Sequence, residues 1–250
     1  LICALSVGGL LSVEVFRKQV RQPYYNEKIE AARLSYKAMA FLREERLKRG
    51  LRIDPETDPA RSGLIGSGMT VTTSGMGDIE AKQTSVNPNF AAVVVELLKK
   101  AKIKKGDHVA VSFSGSFPAM NISVCAAINA LNLNPVIITS VGSSQWGAND
   151  PDFLWIDMER LLYANGIFPF RSVAASVGGK SDQGKEMFPK GREFLKKAIE
   201  KDGLTQVNST TIRENIDNRM NIYYKDGIPK VFINVGGGVV SVGKPSLRKN

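Results

Sequence analysis

From Asn87 onward, short apolar runs alternate with helix-forming segments, and this alternation constrains the fold more than any other feature. Four runs have the length and apolar composition of buried strands: His108–Phe113, Val136–Ser140, Arg171–Ser176 and Lys230–Val235. Predicted helices lie between and around them, at about 90–102, 118–131, 150–164, 189–201 and 209–224. Short apolar strands that alternate with helices form a parallel sheet covered by helices. The sequence therefore predicts an α/β fold with a Rossmann-like, doubly wound, mainly parallel sheet.

A long N-terminal amphipathic helix is predicted before this sheet. Apolar residues recur at roughly helical spacing from Tyr25 to Lys48, and Gly50 is a natural stop. Residues 51–87 are rich in turn signals and lack periodicity, so we interpret them as a connecting loop. The alternative is that this stretch folds over a site, to which it would bring Glu80, Lys82, Thr84 and Ser85. Residues 23–250 are predicted to form a single α/β domain.

The first residues carry the prediction about location. Leu1 to Phe16 is mostly apolar and is followed by Arg17, Lys18 and Arg21. Sixteen residues are fewer than the about 20 that span a bilayer as a helix, and the chain does not start with Met. We interpret residues 1–22 as a truncated membrane anchor or signal segment, with a single N-terminal anchor in the cell membrane and an extracytoplasmic domain. The alternative is an amphipathic or partly buried first helix.

The charge balance bears on partners. The chain has 34 Lys and Arg against 24 Asp and Glu, a net charge of +10. The first fifty residues hold ten of the basic and five of the acidic side chains. An anionic membrane surface, an acidic polymer or nucleic acid could use this charge. Aromatic residues are not interleaved with it, so we predict no nucleic-acid partner.

Cysteine and histidine are too few for several kinds of site. The two cysteines, Cys3 and Cys125, cannot form a disulfide framework or a cysteine-based zinc site. His108 is the single histidine, which excludes the common multi-histidine metal sites. We predict no metal site.

Glycine and serine cluster where the predicted strands end. Since parallel strands end on one edge of the sheet, the loops that follow the strands should meet in a cleft at that edge. The backbone N–H groups and hydroxyls of these loops would bind an anion. Neither the dinucleotide fingerprint nor the phosphate-loop motif is present, so no cofactor is assigned. The predicted ligand-binding residues are Ser114, Gly115, Ser116, Ser143, Ser144, Trp146, Asn149, Asp150, Gly236, Gly237 and Gly238.

Some of these residues have more than one interpretation. Trp146, in a glycine- and serine-rich loop, is interpreted as a ligand wall. Asp150 has the spacing of a helix cap, and its alternatives are a cation ligand or one member of an acid–base pair. The serines are interpreted as ligand-binding or helix-capping groups.

A catalytic role for a strand-exit serine also remains open. The nucleophile-elbow motif is absent, and His108 lies at the opposite end of the strand from Ser114, about 20 Å away at about 3.3 Å per residue. A Ser-His-Asp triad is therefore excluded within one chain. A serine paired with Lys82, Glu80 or Lys180 is still allowed.

Seven strings in the sequence together resemble one family. They are Gln22-Pro23-Tyr24-Tyr25, Ala31-Ala32-Arg33, Leu42-Arg43-Glu44-Glu45-Arg46, Arg61-Ser62-Gly63-Leu64-Ile65-Gly66, Ser114-Gly115-Ser116-Phe117-Pro118-Ala119, Trp146-Gly147-Ala148-Asn149-Asp150-Pro151 and Asn234-Val235-Gly236-Gly237-Gly238. From about Gln22 to Gly243 the chain resembles the bacterial poly-gamma-glutamate system protein family. The resemblance implies a membrane-anchored component of machinery that makes or exports a γ-linked glutamate polymer. It carries over no catalytic residue.

Two classes of function therefore stay open. In the first, the protein is a membrane-associated component of poly-gamma-glutamate biosynthesis or export, for a capsule or exopolymer. Its cleft would bind or process an anionic glutamyl ligand, and its partners would be poly-gamma-glutamate or a glutamyl oligomer, other components of that system, and the membrane. In the second, it is a soluble Rossmann-like enzyme that acts on a phosphorylated small molecule. Whether the protein is an enzyme is left open.

Overall fold

A computed structural model gives the architecture, and the structure describes residues 2–17 and 20–243. The helices are α1 (Ile2–Val15), α2 (Tyr25–Lys48), α3 (Ile79–Ser85), α4 (Phe90–Lys100), α5 (Pro118–Ala130), α6 (Trp155–Ala164), α7 (Pro189–Lys201), α8 (Ile212–Tyr223) and α9 (Val239–Val242). The strands are β1 (Thr73–Gly75), β2 (His108–Ser114), β3 (Asn134–Ser140), β4 (Ser143–Ser144), β5 (Asn149–Asp150), β6 (Phe153–Leu154), β7 (Ala174–Ser176), β8 (Thr205–Gln206) and β9 (Val231–Asn234). A short 3₁₀ turn covers Lys180–Asp182.

Five of these strands form one parallel sheet. Its order is β8-β7-β3-β2-β9, and every neighbouring pair runs parallel. The chain moves outward from β2 through β3, β7 and β8, and then returns to place β9 on the free side of β2. The direction of winding thus reverses between β2 and β9, and such a switch point is where open α/β sheets have their ligand crevice. The predicted α/β class and parallel sheet are confirmed, and the arrangement is consistent with a Rossmann-like fold.

The sheet is buried because its strands alternate apolar side chains between two helical layers. Val109, Val111 and Phe113 of β2 belong to a core formed with α2, α4, α5 and α6. Ala110, between them, belongs to a core on the other face with Tyr223 of α8. Phe113 packs edge-on against Trp155 with 5.8 Å between ring centroids, a contact worth about 0.5–1.5 kcal/mol beyond its buried area. Strands covered on both faces account for the nearly continuous apolar runs in the sequence.

Helix α2 packs against α4 and α5, and a row of small residues on α2 forms the contact. Ala31, Ser35 and Ala38 are fully buried and share one helix face, which lets the backbones approach closely. Two ion pairs tie α2 to α4 at the edge of this contact: Lys28–Glu96 at 2.6 Å and Glu27–Lys99 at 3.3 Å.

The N-terminal helix requires a correction. Helix α1 has 14 residues, none of them buried, and at about 1.5 Å per residue it is shorter than the about 30 Å of a bilayer core. Within residues 2–17 and 20–243, no helix combines the length and the apolar content needed to cross a membrane. The prediction of a single N-terminal anchor, and with it the cell-membrane localisation, is therefore wrong for this part of the chain. Leu1 and Lys18, on which it also depended, lie outside the described residues.

Candidate functional site

A cleft of about 400 Å³ opens at the carboxyl ends of β2, β3 and β9. It lies at the switch point of the sheet, and its volume is within the range of small-molecule sites. Of the predicted ligand-binding residues, those that line it are Ser114, Ser116, Ser144, Gly237 and Gly238. Other polar residues on its wall are Ser74, Ser112, Ser140, Lys180, Asp182, Asn234 and Ser241.

Two of the predicted glycines, Gly115 and Gly236, lie beneath the cleft wall. They allow the loops that follow neighbouring strands to approach each other closely. The Gly115 N–H donates to the Ser140 carbonyl at 2.9 Å, and a Cβ on Gly115 would lie 2.6 Å from the carbonyl oxygen of Val141. Gly236 has φ +120°, and a Cβ there would lie 2.7 Å from Ser114 Cβ. These glycines hold the exits of β2, β3 and β9 together and thereby shape the cleft.

The serine hydroxyls of the cleft are oriented by backbone groups. Ser114 Oγ accepts the Ser116 N–H at 3.2 Å, and Ser116 Oγ accepts the Ser144 N–H at 2.9 Å. Because each oxygen accepts a backbone proton, its own O–H proton is available to donate to another acceptor. Hydroxyls fixed in this way suit a ligand that is rich in acceptors.

The stretch before α4 contributes a buried lysine to the same place. Asp78 caps α3 by accepting the Ala81 N–H at 3.0 Å, and the helix then directs Lys82 inward. Lys82 is 3% exposed; its Nζ donates to the Ser116 carbonyl and to Ser144 Oγ, the latter at 3.0 Å. Burial lowers the pKa of Lys82 to about 8, and the Asp78 carboxylate opposes that change.

The other candidate residues of α3 do not hydrogen-bond to the cleft serines as Lys82 does. Glu80 and Thr84 are exposed, whereas Ser85 is buried and its hydroxyl donates to the Lys82 carbonyl at 2.7 Å. Lys82 Nζ also lies 3.8 Å from the centroid of the Phe117 ring, a cation–π contact.

The charged groups of the cleft favour an anion. Lys180 lines the cleft and is exposed. Asp182 also lines it, but its carboxylate is paired with buried Arg219 at 3.0 Å and accepts the Ser176 hydroxyl at 2.7 Å. The Asp182 charge is thereby compensated. Among the described residues, no carboxylate forms an ion pair with the Nζ of Lys180 or Lys82, although the backbone N–H of Lys180 donates to the Glu186 carboxylate at 2.7 Å. The described residues contain no group of three His, Cys, Asp or Glu side chains that could hold a metal ion.

Besides Gly115 and Gly236, four predicted site residues lie outside the cleft lining: Ser143, Trp146, Asn149 and Asp150. Ser143 is buried and its hydroxyl donates to the Ser144 carbonyl at 2.8 Å. Asn149 is fully buried: its Oδ1 accepts the Ser67 N–H at 3.0 Å, and its Nδ2 donates to the Ser67 carbonyl at 2.7 Å and to Thr73 Oγ1 at 3.0 Å. Asn149 therefore holds the segment that leads into β1.

Trp146 and Asp150 lie on either side of Asn149 in the sequence. The Trp146 N–H donates to the Ser67 carbonyl at 2.9 Å, so Trp146 also contacts the docked segment rather than the cleft. Asp150 is 3.7 Å from buried Arg46, and its Oδ1 accepts the Asp152 N–H at 3.1 Å. The prediction that Asp150 caps a helix is wrong, because β5 and β6 form a small antiparallel pair and α6 begins only at Trp155.

Sequence reasoning did not single out the principal charged groups of this site. Lys82 was one of three possible partners for a serine. The sequence signal that could have identified it is Asp78, a good N-cap four residues before this inward-facing helical position. The Asp182–Arg219 pair has no local signal, since the two residues are distant in sequence. His108 lies at the opposite edge of the sheet, with Nδ1 3.0 Å from the Asn134 carbonyl.

The fold and site define a class: an α/β protein with a serine-lined, cationic cleft at the carboxyl edge of a parallel sheet. Comparisons with protein-family models, with curated proteins and with solved structures found no match. The resemblance to poly-gamma-glutamate system proteins therefore stays a prediction.

Proposed function

We propose that this Rossmann-like, doubly wound protein binds a ligand rich in carboxylates in the cleft between β2 and β9. One observation carries the proposal. Oriented hydroxyls, exposed glycine backbone and the exposed Lys180 line the cleft, whereas its one lining carboxylate is already neutralised. Such a site attracts anions and disfavours cations.

Each group has a separate contribution to binding. The hydroxyls of Ser114 and Ser116 donate to carboxylate oxygens. Lys180, which is exposed at the wall, supplies a charge-assisted hydrogen bond. Gly237 is exposed, and a Cβ added to it would meet no atom within 4 Å, so its side of the cleft is open to the ligand backbone.

The proposed ligand class is a γ-linked glutamyl oligomer, and the support for this choice is the sequence resemblance. Such an oligomer presents one free α-carboxylate for each residue, which matches several oriented donors in one cleft. On this proposal, other components of a poly-gamma-glutamate system would supply or receive the oligomer. A phosphorylated small molecule is the competing ligand, since phosphate oxygens would use the same donors.

Calorimetric titration with tri-γ-glutamate tests the proposal. Gly237→Val adds a side chain on the cleft wall, where its Cβ would meet no other atom within 4 Å. Lys180→Met removes a positive charge from the wall. We expect each to weaken binding roughly 10- to 150-fold, the equivalent of about 1.5–3 kcal/mol. Lys104→Met, at an exposed position away from the cleft, is the matched control and should bind like the unmodified protein.

The outcomes separate the site from the ligand. Unchanged affinity in both cleft variants would reject the cleft. No binding of tri-γ-glutamate by the unmodified protein would reject the glutamyl ligand, and binding of glycerol phosphate in its place would favour the competing class.

A further inference from the structure

The hydroxyl of Ser144 has a lysine beside it that the proposed ligand binding does not use. Lys82 Nζ lies 3.0 Å from Ser144 Oγ, and Ser144 lines the cleft. This separation is within the range, about 2.6–3.2 Å, at which a general base takes the proton of a nucleophile. Among the described residues, Ser144 is the serine whose hydroxyl contacts a lysine amine.

Both partners are fixed in place. Lys82 Nζ is held by the Ser116 carbonyl and the face of the Phe117 ring, which leaves it little freedom to turn away. The backbone of Ser144 is held on two sides, because its N–H donates to Ser116 Oγ and its carbonyl accepts the Ser143 hydroxyl. The pair is therefore preorganised, as a catalytic pair must be.

The surroundings of Lys82 favour the neutral amine that a base requires. Burial is the main cause, and it lowers the pKa of Lys82 to about 8. Asp78, the N-cap of the same helix, opposes this effect. The contacts of Nζ with the described residues are a carbonyl, a hydroxyl and an aromatic ring. Of the charged groups that line the cleft, Lys180 is a cation and Asp182 is neutralised by Arg219.

We propose that Ser144 is a nucleophile and Lys82 its general base, and that the cleft carries out acyl transfer on γ-glutamyl amide bonds. The substrate class rests on the proposed function; the chemistry rests on the geometry of the pair.

The reaction proceeds in two balanced steps. Ser144 Oγ attacks the amide carbonyl carbon while its proton passes to Lys82 Nζ. The C–N bond then breaks, the leaving amine takes the proton from Lys82, and an ester remains on Ser144. Water then attacks this ester while one of its protons passes to Lys82 Nζ. The bond between the acyl carbon and Ser144 Oγ breaks, Lys82 gives that proton to Ser144 Oγ, and the free acid leaves. The sum is amide plus water giving acid plus amine.

A fluorophosphonate probe tests the pair without a glutamyl substrate. Attack by Ser144 forms an Oγ–P bond and expels fluoride, and the modified residue is located by peptide mass mapping. We expect labelling at Ser144, with a rate that rises with pH around a midpoint of about 8. Lys82→Arg keeps a cation but cannot act as the base, so labelling should fall about 100-fold or more. Lys104→Met is the matched control and should label normally.

Failure of this proposal and failure of the binding proposal are distinguishable. Absence of labelling at Ser144, or equal labelling rates in Lys82→Arg and Lys82→Met and the unmodified protein, would overturn the catalytic pair even if tri-γ-glutamate binds. Labelling at Ser144 that depends on Lys82 would support the pair even if tri-γ-glutamate does not bind. Cooperative urea unfolding of Ser144→Ala and Lys82→Arg shows that lost labelling does not reflect an unfolded variant.

Discussion

Glu159 makes the stability of this protein depend on pH in a defined direction. It lies in α6, is 4% exposed, and its Oε1 has no hydrogen-bond partner among the described residues. Burial raises the pKa of Glu159 from 4.5 to about 7, against the lowering effects of the Ser172 hydroxyl and N–H and of Arg171. Below pH 4.5 the carboxyl is protonated in both the folded and the unfolded state. As pH rises through about 7 the folded state must ionise a buried group, and stability is lost.

The size of this effect follows from the pKa difference. At about 1.4 kcal/mol per pKa unit, a rise from 4.5 to about 7 corresponds to about 3 kcal/mol of lost stability above neutral pH. Glu159→Gln removes the titration while keeping the side-chain shape. We therefore expect the free energy of unfolding of Glu159→Gln, relative to the unmodified protein, to increase by about 3 kcal/mol between acidic and mildly alkaline pH.

Urea unfolding followed by tryptophan fluorescence, at constant ionic strength and pH values across this range, measures the difference. Glu193→Gln is the control, because Glu193 is a surface residue with a side chain 65% exposed and paired with Lys197. Its stability should follow that of the unmodified protein. If the curves for Glu159→Gln and the unmodified protein stay parallel from acid to mildly alkaline pH, the inferred cost of ionising Glu159 is refuted.

Two further substitutions test contacts near the cleft. Asp182→Ala leaves Arg219 buried without its carboxylate, so we expect the free energy of unfolding to fall by about 3–5 kcal/mol in urea titrations. Asn149→Ala removes three side-chain hydrogen bonds to Ser67 and Thr73, which should cost about 2–4 kcal/mol and speed proteolysis between residues 66 and 73. Unfolding curves that overlay those of the unmodified protein would contradict either expectation.

The parts of the fold that the sequence predicted are those with strong apolar patterns. β2 and β3 are seven-residue strands with buried centres, and a run of this kind has few alternatives once helices flank it. β8 was missed because Thr205–Gln206 is two residues long and exposed, so it leaves no hydrophobic signal. The start of α6 was misplaced because Asp150-Pro151 suits a tight turn between short strands as well as a helix cap.

The site was predictable to the extent that sheet topology determines it. Ser114 and Gly237 share one edge because parallel strands end there. Topology does not determine which residues of a long exit loop turn away from that edge. Trp146 follows the end of β3 by six residues, as Asp182 follows the end of β7, yet Trp146 contacts the docked segment 66–73, as does Asn149.

That segment contacts two of the predicted site residues that do not line the cleft. Asn149 holds Ser67 and Thr73, β1 pairs in parallel with β4 beside Ser144, and α3 follows directly and carries Lys82. A buried lysine is costly unless it has hydrogen-bond partners, and those of Lys82 are the Ser116 carbonyl and the Ser144 hydroxyl. Asn149 contacts Ser67 and Thr73 and does not line the cleft. Within the string from Trp146 to Pro151, one of the seven that carry the sequence resemblance, Trp146 and Asn149 therefore contact the segment that leads to α3 rather than the cleft itself.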